Sequence, residues 1–477
     1  MHRRHVIQGI AAALLLVATP SLAAQSKVQK VVDRWSKGKS LRGLSVGVSV
    51  VDAANGRQLA GRNADTQMNP ASGTKLLTSA AALHVLPLRP SWETRLHGVV
   101  DSGQLKGPLR LVGGGDPKLL LAHLKRLAEA VSAAGVQDIP GGLIVHVGRF
   151  DTAALPPAYD QKETDAGYRP NIGAAASNFG ALRVTVRPGP RIGRPVLISA
   201  EGGLEAIVVE NTARTVKGAA RKLTIRSVQA PDGRTTLMVS GTMGRRAKPF
   251  GQRKRLHDPD RWTGLVLKSL IEKHGVSVGD AFEVTTEPLP ADAGPPLHTI
   301  QSRSLPETLA DINTWSNNFM AEMVLKQMGC DLGPACSWKR GVERATSALQ
   351  ALGLPAESFR IVNGSGLYRA TTVSPASMTA LLVAMATDTT RAGAFLGSLA
   401  VSGKPGTMHK RLTAKRVRGK VKGKTGTLDE VVSLSGYVPS RRGRTLAFSV
   451  FVNGANSERT GAIRRKIDRL VRKLERL

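Results

Sequence analysis

The chain has 477 residues, including 68 lysines and arginines against 35 aspartates and glutamates, and its formal net charge is +33. This length exceeds what one hydrophobic core usually supports, so two or three domains are expected. The surplus of positive charge favours an anionic partner, although a generic basic surface would give the same charge. Neither a nucleic-acid-binding module nor interleaved aromatic residues accompany the charge, so we predict no nucleic-acid partner.

The first 24 residues have the three-part pattern of a secretory signal peptide. A basic start at residues 1–5 precedes an apolar stretch from 6 to about 19, and small residues at 21–24 suit cleavage. Arg3 and Arg4 fit a twin-arginine signal and an ordinary export signal equally well. We therefore predict an exported, periplasmic or envelope-associated protein, with anionic wall polymers or a membrane surface as candidate partners.

The cysteine content favours one local disulfide. Cys330 and Cys336 are the only cysteines, and the segment between them is turn-forming. In an oxidising compartment this spacing favours a disulfide over two free thiols. The ten histidines are scattered without metal-ligand spacing, so we predict no metal and no cofactor.

The predicted elements begin with an amphipathic helix around residues 28–35. Residues 44–51 alternate as a strand, and the Asn55–Gly56 turn leads into a second strand that ends near residue 62. From Ser72 to about residue 86 the apolar residues recur at helical spacing. Ser72 is thus predicted at a helix N-terminus, where unpaired backbone N–H groups and the helix dipole favour developing negative charge.

Residues 90–300 change in character to short strands and turns rich in proline and glycine, with helical patterns at 120–131 and 262–273. This region looks inserted. Helical patterning returns at 306–328, before the terminal elements described next. The simplest assembly is an α/β (α+β) fold with one antiparallel sheet, flanked by helices and built from the two ends of the chain.

The chain ends with two apolar strands, at 431–438 and 446–452, and a basic amphipathic helix that runs to Leu477. Such a helix either packs on the sheet or lies on an anionic membrane. Because it follows a buried strand, we favour packing on the sheet.

A first chemical motif is Ser72-Gly-Thr-Lys75, which places a hydroxyl and an amine on one face of a helix. A partly desolvated lysine in that position can serve as general base for the serine. The pattern is weak by itself, because a helix cap also explains Ser72 and because Ser36-Lys-Gly-Lys39 matches equally well. No apolar helix follows this second match, so we interpret it as a solvated turn.

Two further motifs follow along the chain. Ser316-Asn-Asn318 lies between two helical stretches, where it could relay a proton and hold a substrate carbonyl, or simply cap a helix. Lys424-Thr-Gly-Thr427 lies on a strand-like segment, where the cation and hydroxyls suit a substrate carboxylate and the glycine allows close approach. Joint occurrence of all three motifs in this order is improbable by chance.

The ordered set resembles that of the penicillin-binding protein and serine β-lactamase superfamily. The long gap between Ser72 and Ser316 is similar to the insertion of the low-molecular-mass class C penicillin-binding proteins, the D-alanyl-D-alanine carboxypeptidase/endopeptidase family. Stretches at 111–117, 309–323 and 363–367 also look like this family. The resemblance implies a transpeptidase-like domain of residues 25–92 and 301–477, interrupted by an inserted domain II (93–119 and 194–300) and an inserted domain III (120–193).

The resemblance also implies roles for individual residues. Ser72 would be the acylating nucleophile and Lys75 its base, with Ser316 and Asn318 as the second motif. The substrate would be held by Lys424, Thr425, Gly426 and Thr427, and an oxyanion hole would form between Thr427 and the Ser72 N–H. Arg369 would meet an acidic group of the stem peptide, or it is an ordinary surface arginine.

Two positions depart from the family pattern. Asn363 stands where the family usually has aspartate, which puts any orienting role of that carboxylate in doubt. Residues 156–160 also lack an expected tryptophan-rich stretch, so the preference for substrate side chains is less certain than the chemistry.

The resulting hypothesis is a serine-type D-Ala-D-Ala carboxypeptidase or endopeptidase that acts on peptidoglycan peptides and binds penicillin and other β-lactam antibiotics covalently. Two alternatives remain: a β-lactamase-like hydrolase with the same motifs, and a non-catalytic wall-binding protein. The long insertion argues against the first, and the intact motifs argue against the second.

Overall fold

The computed structural model describes residues 22–90, 92–333 and 335–477, with side chains from residue 27 onwards. The predicted signal peptide lies outside these residues, except that residues 22–24 begin the first helix. Within the described ranges, no helix combines the length and the apolar character that crossing a bilayer requires.

The helices in this part of the chain are α1 (Leu22–Ser36), α2 (Thr74–Val85), α3 (Leu121–Ala133), α4 (Pro259–Lys273), α5 (Leu305–Trp315), α6 (Asn318–Gln327), α7 (Trp338–Ala351), α8 (Pro375–Thr387), α9 (Ala392–Ser398) and α10 (Thr460–Glu475). Side-chain oxygens cap five of these helices by accepting a hydrogen bond from a backbone N–H in the first turn. The capping residues are Asp258, Ser304, Asn317, Ser337 and Ser374. These residues determine where α4 to α8 begin.

The described strands are β1 (Ser45–Asp52), β2 (Gln58–Arg62), β3 (Thr94–His97), β4 (Val100–Asp101), β5 (Gln104–Leu105), β6 (Leu109–Val112), β7 (Asp138–Ile139), β8 (Leu143–His146), β9 (Ala181–Arg187), β10 (Leu197–Ala200), β11 (Ile207–Asn211) and β12 (Arg214–Val216). They continue with β13 (Arg221–Gln229), β14 (Thr235–Gly244), β15 (Phe250–Arg255), β16 (Ser277–Val278), β17 (Phe282–Thr285), β18 (Pro296–Ile300), β19 (Phe359–Arg360), β20 (Thr372–Val373), β21 (Ala400–Val401), β22 (Lys422–Leu428), β23 (Val431–Pro439) and β24 (Thr445–Asn453).

The central sheet joins the two ends of the chain, in the order β2-β1-β24-β23-β22-β21. All neighbouring strands in it are antiparallel, and β1 pairs with β24 along its whole length. The β24 side chains alternate between two cores: Phe448 and Val450 face α1 and α10, whereas Ala447 and Phe451 face α2 and α8. The predicted antiparallel sheet flanked by helices is therefore confirmed.

Helix α10 packs on this sheet. Its apolar residues Ile463, Ile467, Leu470, Val471 and Leu474 are buried in the same core as α1 and the sheet. This agrees with the favoured of the two sequence-based alternatives, because the apolar face is already occupied by protein.

The inserted region forms four further sheets instead of one continuous sheet. A five-stranded sheet has the order β17-β8-β6-β3-β18, and a small four-stranded sheet has the order β16-β7-β5-β4. Strands β9 to β15 form the other two: β10-β9-β15, and β11-β14-β12 with β13 also on β14.

One predicted domain boundary disagrees with the strand pairing. The boundary at residue 120 assigned α3 and β8 to domain III, but β8 pairs in parallel with β6 and β17 of predicted domain II. Parallel neighbours need a crossover connection, usually a helix, and α3 provides it between β6 and β8. The boundary would cut this β–α–β unit. The remaining domain limits stay a prediction.

Candidate active site

Ser72 lies in a 3-10 turn, Ala71–Gly73, that leads directly into α2. Two contacts hold this turn. The Ala71 N–H donates to Asn69 Oδ1 at 2.7 Å, and the Ser433 hydroxyl on β23 donates to the Pro70 carbonyl at 2.6 Å. Ala71 itself is in the left-handed region, with φ of 49°. The central sheet and its neighbouring loop thus fix the position of the serine.

Gly426 on β22 allows the sheet to approach this turn. A Cβ atom at this position would overlap with Ser433 Oγ and the Pro70 carbonyl oxygen, and it would crowd the Ala71 side chain. The glycine of the third motif is therefore required by close packing between β22 and the turn that carries Ser72.

Lys75, in the first turn of α2 and three residues after Ser72, is completely buried. Its amine donates to Ser72 Oγ at 3.3 Å, to Asn318 Oδ1 at 2.7 Å and to the Ser365 carbonyl at 2.7 Å. Burial lowers the pKa of this amine to about 7, and the nearby Glu322 carboxylate raises it in part. A lysine in this state can exchange a proton with a serine near neutral pH.

Glu322 lies on α6, one turn after Asn318, and is also completely buried. It accepts hydrogen bonds from the Gly364 and Ser365 N–H groups at 3.0 and 2.8 Å, and from the Tyr159 hydroxyl at 3.2 Å. Burial raises the pKa of its carboxyl, whereas the hydrogen bonds from Gly364 and Ser365 and the charge of Lys75 act in the opposite direction. Glu322 thus holds the Ser365 segment in place and also favours the charged form of Lys75.

Replacing Glu322 with glutamine is expected to shift the rise of acylation rate with pH towards lower pH. The carboxylate raises the pKa of Lys75, so its removal lowers that pKa and leaves the amine neutral at a lower pH. The measurement is the rate of penicillin acylation from pH 5 to 9. Glu343→Gln, an exposed position on α7, is the matched control. An unmoved or upward-shifted profile in Glu322→Gln would contradict this coupling.

Ser316 lies at the junction between α5 and α6. It ends α5 in the left-handed conformation, with φ of 60°, and the Asn317 side chain then caps α6. The Lys424 amine donates to Ser316 Oγ at 2.9 Å and to the Thr425 carbonyl at 2.8 Å. Burial, together with the charge of Lys75, lowers the pKa of Lys424 well below its usual value. The second and third motifs are therefore in direct contact.

The motif residues meet at a cleft of about 890 Å³. Its walls include Ser72, Ser316, Asn318, Thr427 and Arg369, while Lys75 and Lys424 are buried beneath. The sequence-predicted residues thus come together at one site.

The rim of the cleft carries charged pairs. Arg369 is exposed and pairs with Glu430, and Lys162 pairs with Asp429 at 3.0 Å. Elsewhere in the cleft wall, Asn318 Nδ2 donates to the Tyr168 carbonyl at 2.8 Å. Arg369 therefore lies at the entrance, with a carboxylate partner already present.

Thr427 has a partner that the sequence did not indicate. Arg464 on α10 donates from Nη2 to Thr427 Oγ1 at 2.9 Å, and the Thr427 hydroxyl donates to the Gly426 carbonyl at 2.8 Å. The terminal helix thus places a guanidinium group beside the end of the third motif.

Asn363 holds the turn that carries Ser365. Its Oδ1 accepts from the Gly366 N–H at 2.9 Å, and its Nδ2 donates to the Pro157 and Leu367 carbonyls at 3.1 and 3.2 Å. An aspartate could not donate to those carbonyls when ionised. The departure from the family residue therefore leaves the turn supported, by an amide instead of a carboxylate.

Cys330 and Cys336 form a disulfide just beyond α6. The Cys336 N–H donates to the Arg149 carbonyl at 2.8 Å, and the Asp151 N–H donates to the Cys336 carbonyl at 3.1 Å. The disulfide loop is thereby tied to the inserted region. In the part of the chain that the structure describes, no group of metal-ligating side chains is clustered.

Sequence reasoning missed Glu322, Tyr159 and Ser365 as parts of the site. Glu322 had a usable signal, because a residue four positions after Asn318 on a helix shares its face. Tyr159 had none: its hydroxyl contacts Ser365 Oγ at 2.8 Å across a long separation in the chain. Such contacts depend on how the inserted region packs against α6.

Comparison with known proteins identifies the family. The profile of the D-Ala-D-Ala carboxypeptidase 3 (S13) family matches residues 28–474. The chain belongs to this family. Its members are serine peptidases, so the family resemblance and the assignment as a serine-type hydrolase are confirmed.

Individual relatives of this S13 chain carry names that agree with the family assignment. It is 31% identical over 462 residues to a D-alanyl-D-alanine carboxypeptidase of Actinomadura sp. (strain R39), covering 92% of this chain and 84% of that protein. It is 24% identical over 418 residues to D-alanyl-D-alanine carboxypeptidase DacB of Haemophilus influenzae, covering 86% of each. The crystal structure of penicillin binding protein 4 (dacB) from Haemophilus influenzae has a TM-score of 0.79 at 22% identity, covering 94% of this chain and 99% of that chain.

Proposed function

We propose that this S13 chain is a D-Ala-D-Ala carboxypeptidase that cleaves peptidoglycan stem peptides through an acyl-enzyme on Ser72 and is acylated by penicillins at the same atom. The observation that carries the proposal is the buried Lys75 amine within hydrogen-bonding distance of Ser72 Oγ, with its pKa lowered to about 7. Such a pair is an activated nucleophile with its base in place.

In the acylation step, neutral Lys75 takes the proton of Ser72 as Oγ attacks the carbonyl carbon of the scissile D-Ala-D-Ala bond. The carbon–nitrogen bond then breaks, and the leaving amine of D-alanine gains a proton. Ser316 is suited to deliver it, because its hydroxyl lies at the cleft and contacts the Lys424 amine, which can restore the proton. The product is an ester on Ser72 and free D-alanine.

Before the second step, Lys75 passes the proton it took from Ser72 through solvent in the cleft to the Lys424 amine, which has lost one, so both lysines return to their starting states. Water then attacks the ester carbonyl and gives up a proton to neutral Lys75. The ester bond breaks, Ser72 regains its hydrogen, and the shortened peptide leaves with a new carboxyl group. Asn318 is placed to orient the substrate, because its side chain links Lys75 to the Tyr168 wall of the cleft. Lys424, Thr425 and Thr427 are the proposed anchor for the substrate carboxylate, and Gly426 lets their strand pack against the turn that carries Ser72.

Cleavage of D-amino-acid cross-links is the second candidate activity, because it uses the same acyl-enzyme. The open rim with Arg369 and Asp429 leaves space for a larger leaving group. Release of D-alanine from a pentapeptide compared with cleavage of purified cross-linked dimers measures the balance between the two activities.

We also propose that residues 1–24 direct export to the periplasm or cell envelope. Their three-part pattern supports it, as does a wall peptide as substrate. Of the predicted domain limits, we retain residues 25–92 and 301–477 as the transpeptidase-like unit, because strands from both segments form the central sheet.

The proposal is tested with fluorescent penicillin on the mature protein and a Ser72→Ala variant. We expect a covalent adduct on the parent protein by denaturing gel and intact mass, none on the variant, and D-alanine release only by the parent. Ser36→Ala, in the other Ser-x-x-Lys match, is the control and should label normally. A folded parent that neither labels nor releases D-alanine would favour a non-catalytic wall-binding protein, and rapid penicillin turnover would favour a β-lactamase-like hydrolase.

A further inference from the structure

One end of a sheet in the inserted region carries a cluster of exposed basic residues. Three adjacent strands, β12, β14 and β13, end there side by side. Their ends and the connecting turns carry six exposed basic residues, which we call the strand-end surface: Arg214, Lys217, Arg221, Lys222, Arg245 and Arg246.

Backbone contacts fix these residues close together. Arg214 pairs with Thr242, and Lys222 pairs with the same residue from the other side of β14. The Arg245 N–H donates to the Val216 carbonyl at 2.8 Å, and the Arg246 N–H donates to the Gly218 carbonyl at 2.9 Å. Arg214 and Lys222, both opposite Thr242, point to the same face of the sheet about two strand spacings (about 9.6 Å) apart, which is close to the Debye length at physiological salt. Arg221 points to the other face, where its guanidinium lies 3.8 Å from the centroid of the Phe250 ring.

Carboxylates do not neutralise the strand-end surface. In the described part of the chain none of its six residues forms an ion pair. The acidic residues of 181–256 lie elsewhere: Glu201, Glu205 and Asp232 pair with Arg253, Lys273 and Arg234. Glu210 is opposite Met238, four residues along β14 from Thr242, which is about 13 Å.

Clustered like charges repel one another and hold mobile counterions. A linear polyanion that binds them releases those counterions, which makes binding favourable and strongly salt-dependent. The cations project from strand ends and turns instead of an amphipathic helix, and the exposed aliphatic residues nearby, Ile192 and Leu197, are interspersed with the exposed Arg191 and Arg194. This suits an extended charged polymer better than an interfacial membrane anchor, which needs a continuous apolar face.

We propose that the strand-end surface binds a linear anionic polymer of the cell envelope with repeating phosphate or carboxylate groups. The surface lies on the inserted region, apart from the cleft of Ser72. Binding there raises the local concentration of wall substrate at the enzyme without changing the chemistry at the cleft. The binding itself does not depend on the proposed catalytic function, whereas its effect on substrate concentration rests on that function.

The test measures binding of fluorescently labelled long-chain inorganic polyphosphate and poly-glutamate at increasing NaCl. The variant Arg214→Gln/Lys217→Gln/Arg245→Gln/Arg246→Gln is compared with Arg465→Gln/Arg469→Gln/Arg472→Gln/Lys473→Gln. The second set removes the same charge from exposed positions on α10. We expect the first variant to bind at least about tenfold more weakly at 0.15 M salt, with the slope of log K against log salt reduced by about 3. The control should retain most of the parent's affinity and slope.

An equal loss of polymer affinity in both variants would overturn the proposal, because net charge alone would then explain binding. Unchanged binding in both would also overturn it. Vesicles containing anionic lipid are tested in parallel, and a parent that binds vesicles but neither polymer would indicate a membrane surface instead. Penicillin labelling and thermal unfolding of both variants should match the parent, so that loss of polymer binding is distinguished from failure of the catalytic site or of folding.

Discussion

Replacing Lys75 with methionine is expected to slow acylation by penicillin about 10²- to 10⁴-fold, the usual contribution of a positioned general base. Methionine has nearly the same length as lysine but no amine, so Ser72 keeps its place and loses its proton acceptor. The amine normally contacts Ser72, Asn318 and the Ser365 carbonyl at once. Stopped-flow fluorescence with a reporter penicillin gives the rate directly.

The pH dependence makes this prediction specific. In the parent, Lys75 accepts a proton only when neutral, so the acylation rate should rise as pH rises through about 7. The residual rate of Lys75→Met should lack that rise. Lys39→Met is the matched control, since Lys39 belongs to the other Ser-x-x-Lys match and is exposed. Acylation of Lys75→Met at the parent's rate would exclude Lys75 as the base.

Replacing Gly426 with alanine is expected to reduce acylation at least about 10²-fold, because a misplacement of about 1 Å at a reacting atom has that effect. The added methyl group overlaps with Ser433 Oγ and the Pro70 carbonyl, the two atoms whose hydrogen bond positions the Ser72 turn. Overpacking of this kind also lowers the free energy of unfolding by about 1–3 kcal/mol. Penicillin labelling rate and thermal unfolding measure the two effects.

A matched control is Gly397→Ala on α9. A Cβ atom there has no neighbour within 4 Å, so this substitution should leave labelling unchanged. If Gly426→Ala is acylated normally while remaining folded, β22 and the Ser72 turn can move apart without loss of activity. The inference that β22 positions Ser72 would then be wrong.

The three motifs, and the central sheet built from both ends of the chain, could be predicted because they depend on local signals. Period-two alternation identified the strand that became β1, apolar runs identified those that became β23 and β24, and the helical spacing after Ser72 placed the serine at the start of α2. The spacing of serine and lysine on a helix is itself a geometric statement, so the contact between Ser72 and Lys75 followed from it.

Long-range pairing could not be predicted in the same way. The short strand β8 gives no sign in its own residues that it lies beside β6 and β17, and the predicted limit at residue 120 separated it from them. The contacts of Tyr159 with Glu322 and Ser365 likewise depend on the path of the inserted region across α6. Burial, which lowers the pKa of Lys75, is a property of the assembled domains and not of the motif.

The pairing of β1 with β24 has a consequence for when activity can arise. Strand β24 lies between β1 and β23, so the sheet stays open until residues 445–453 have been synthesised and have reached the other end of the chain. The entropy of closing a loop grows only slowly with its length, but pairing of strands this far apart in the sequence is slow. The acylating centre is therefore a late product of folding, and a chain shortened ahead of β24 would contain every motif residue without ever bringing them together.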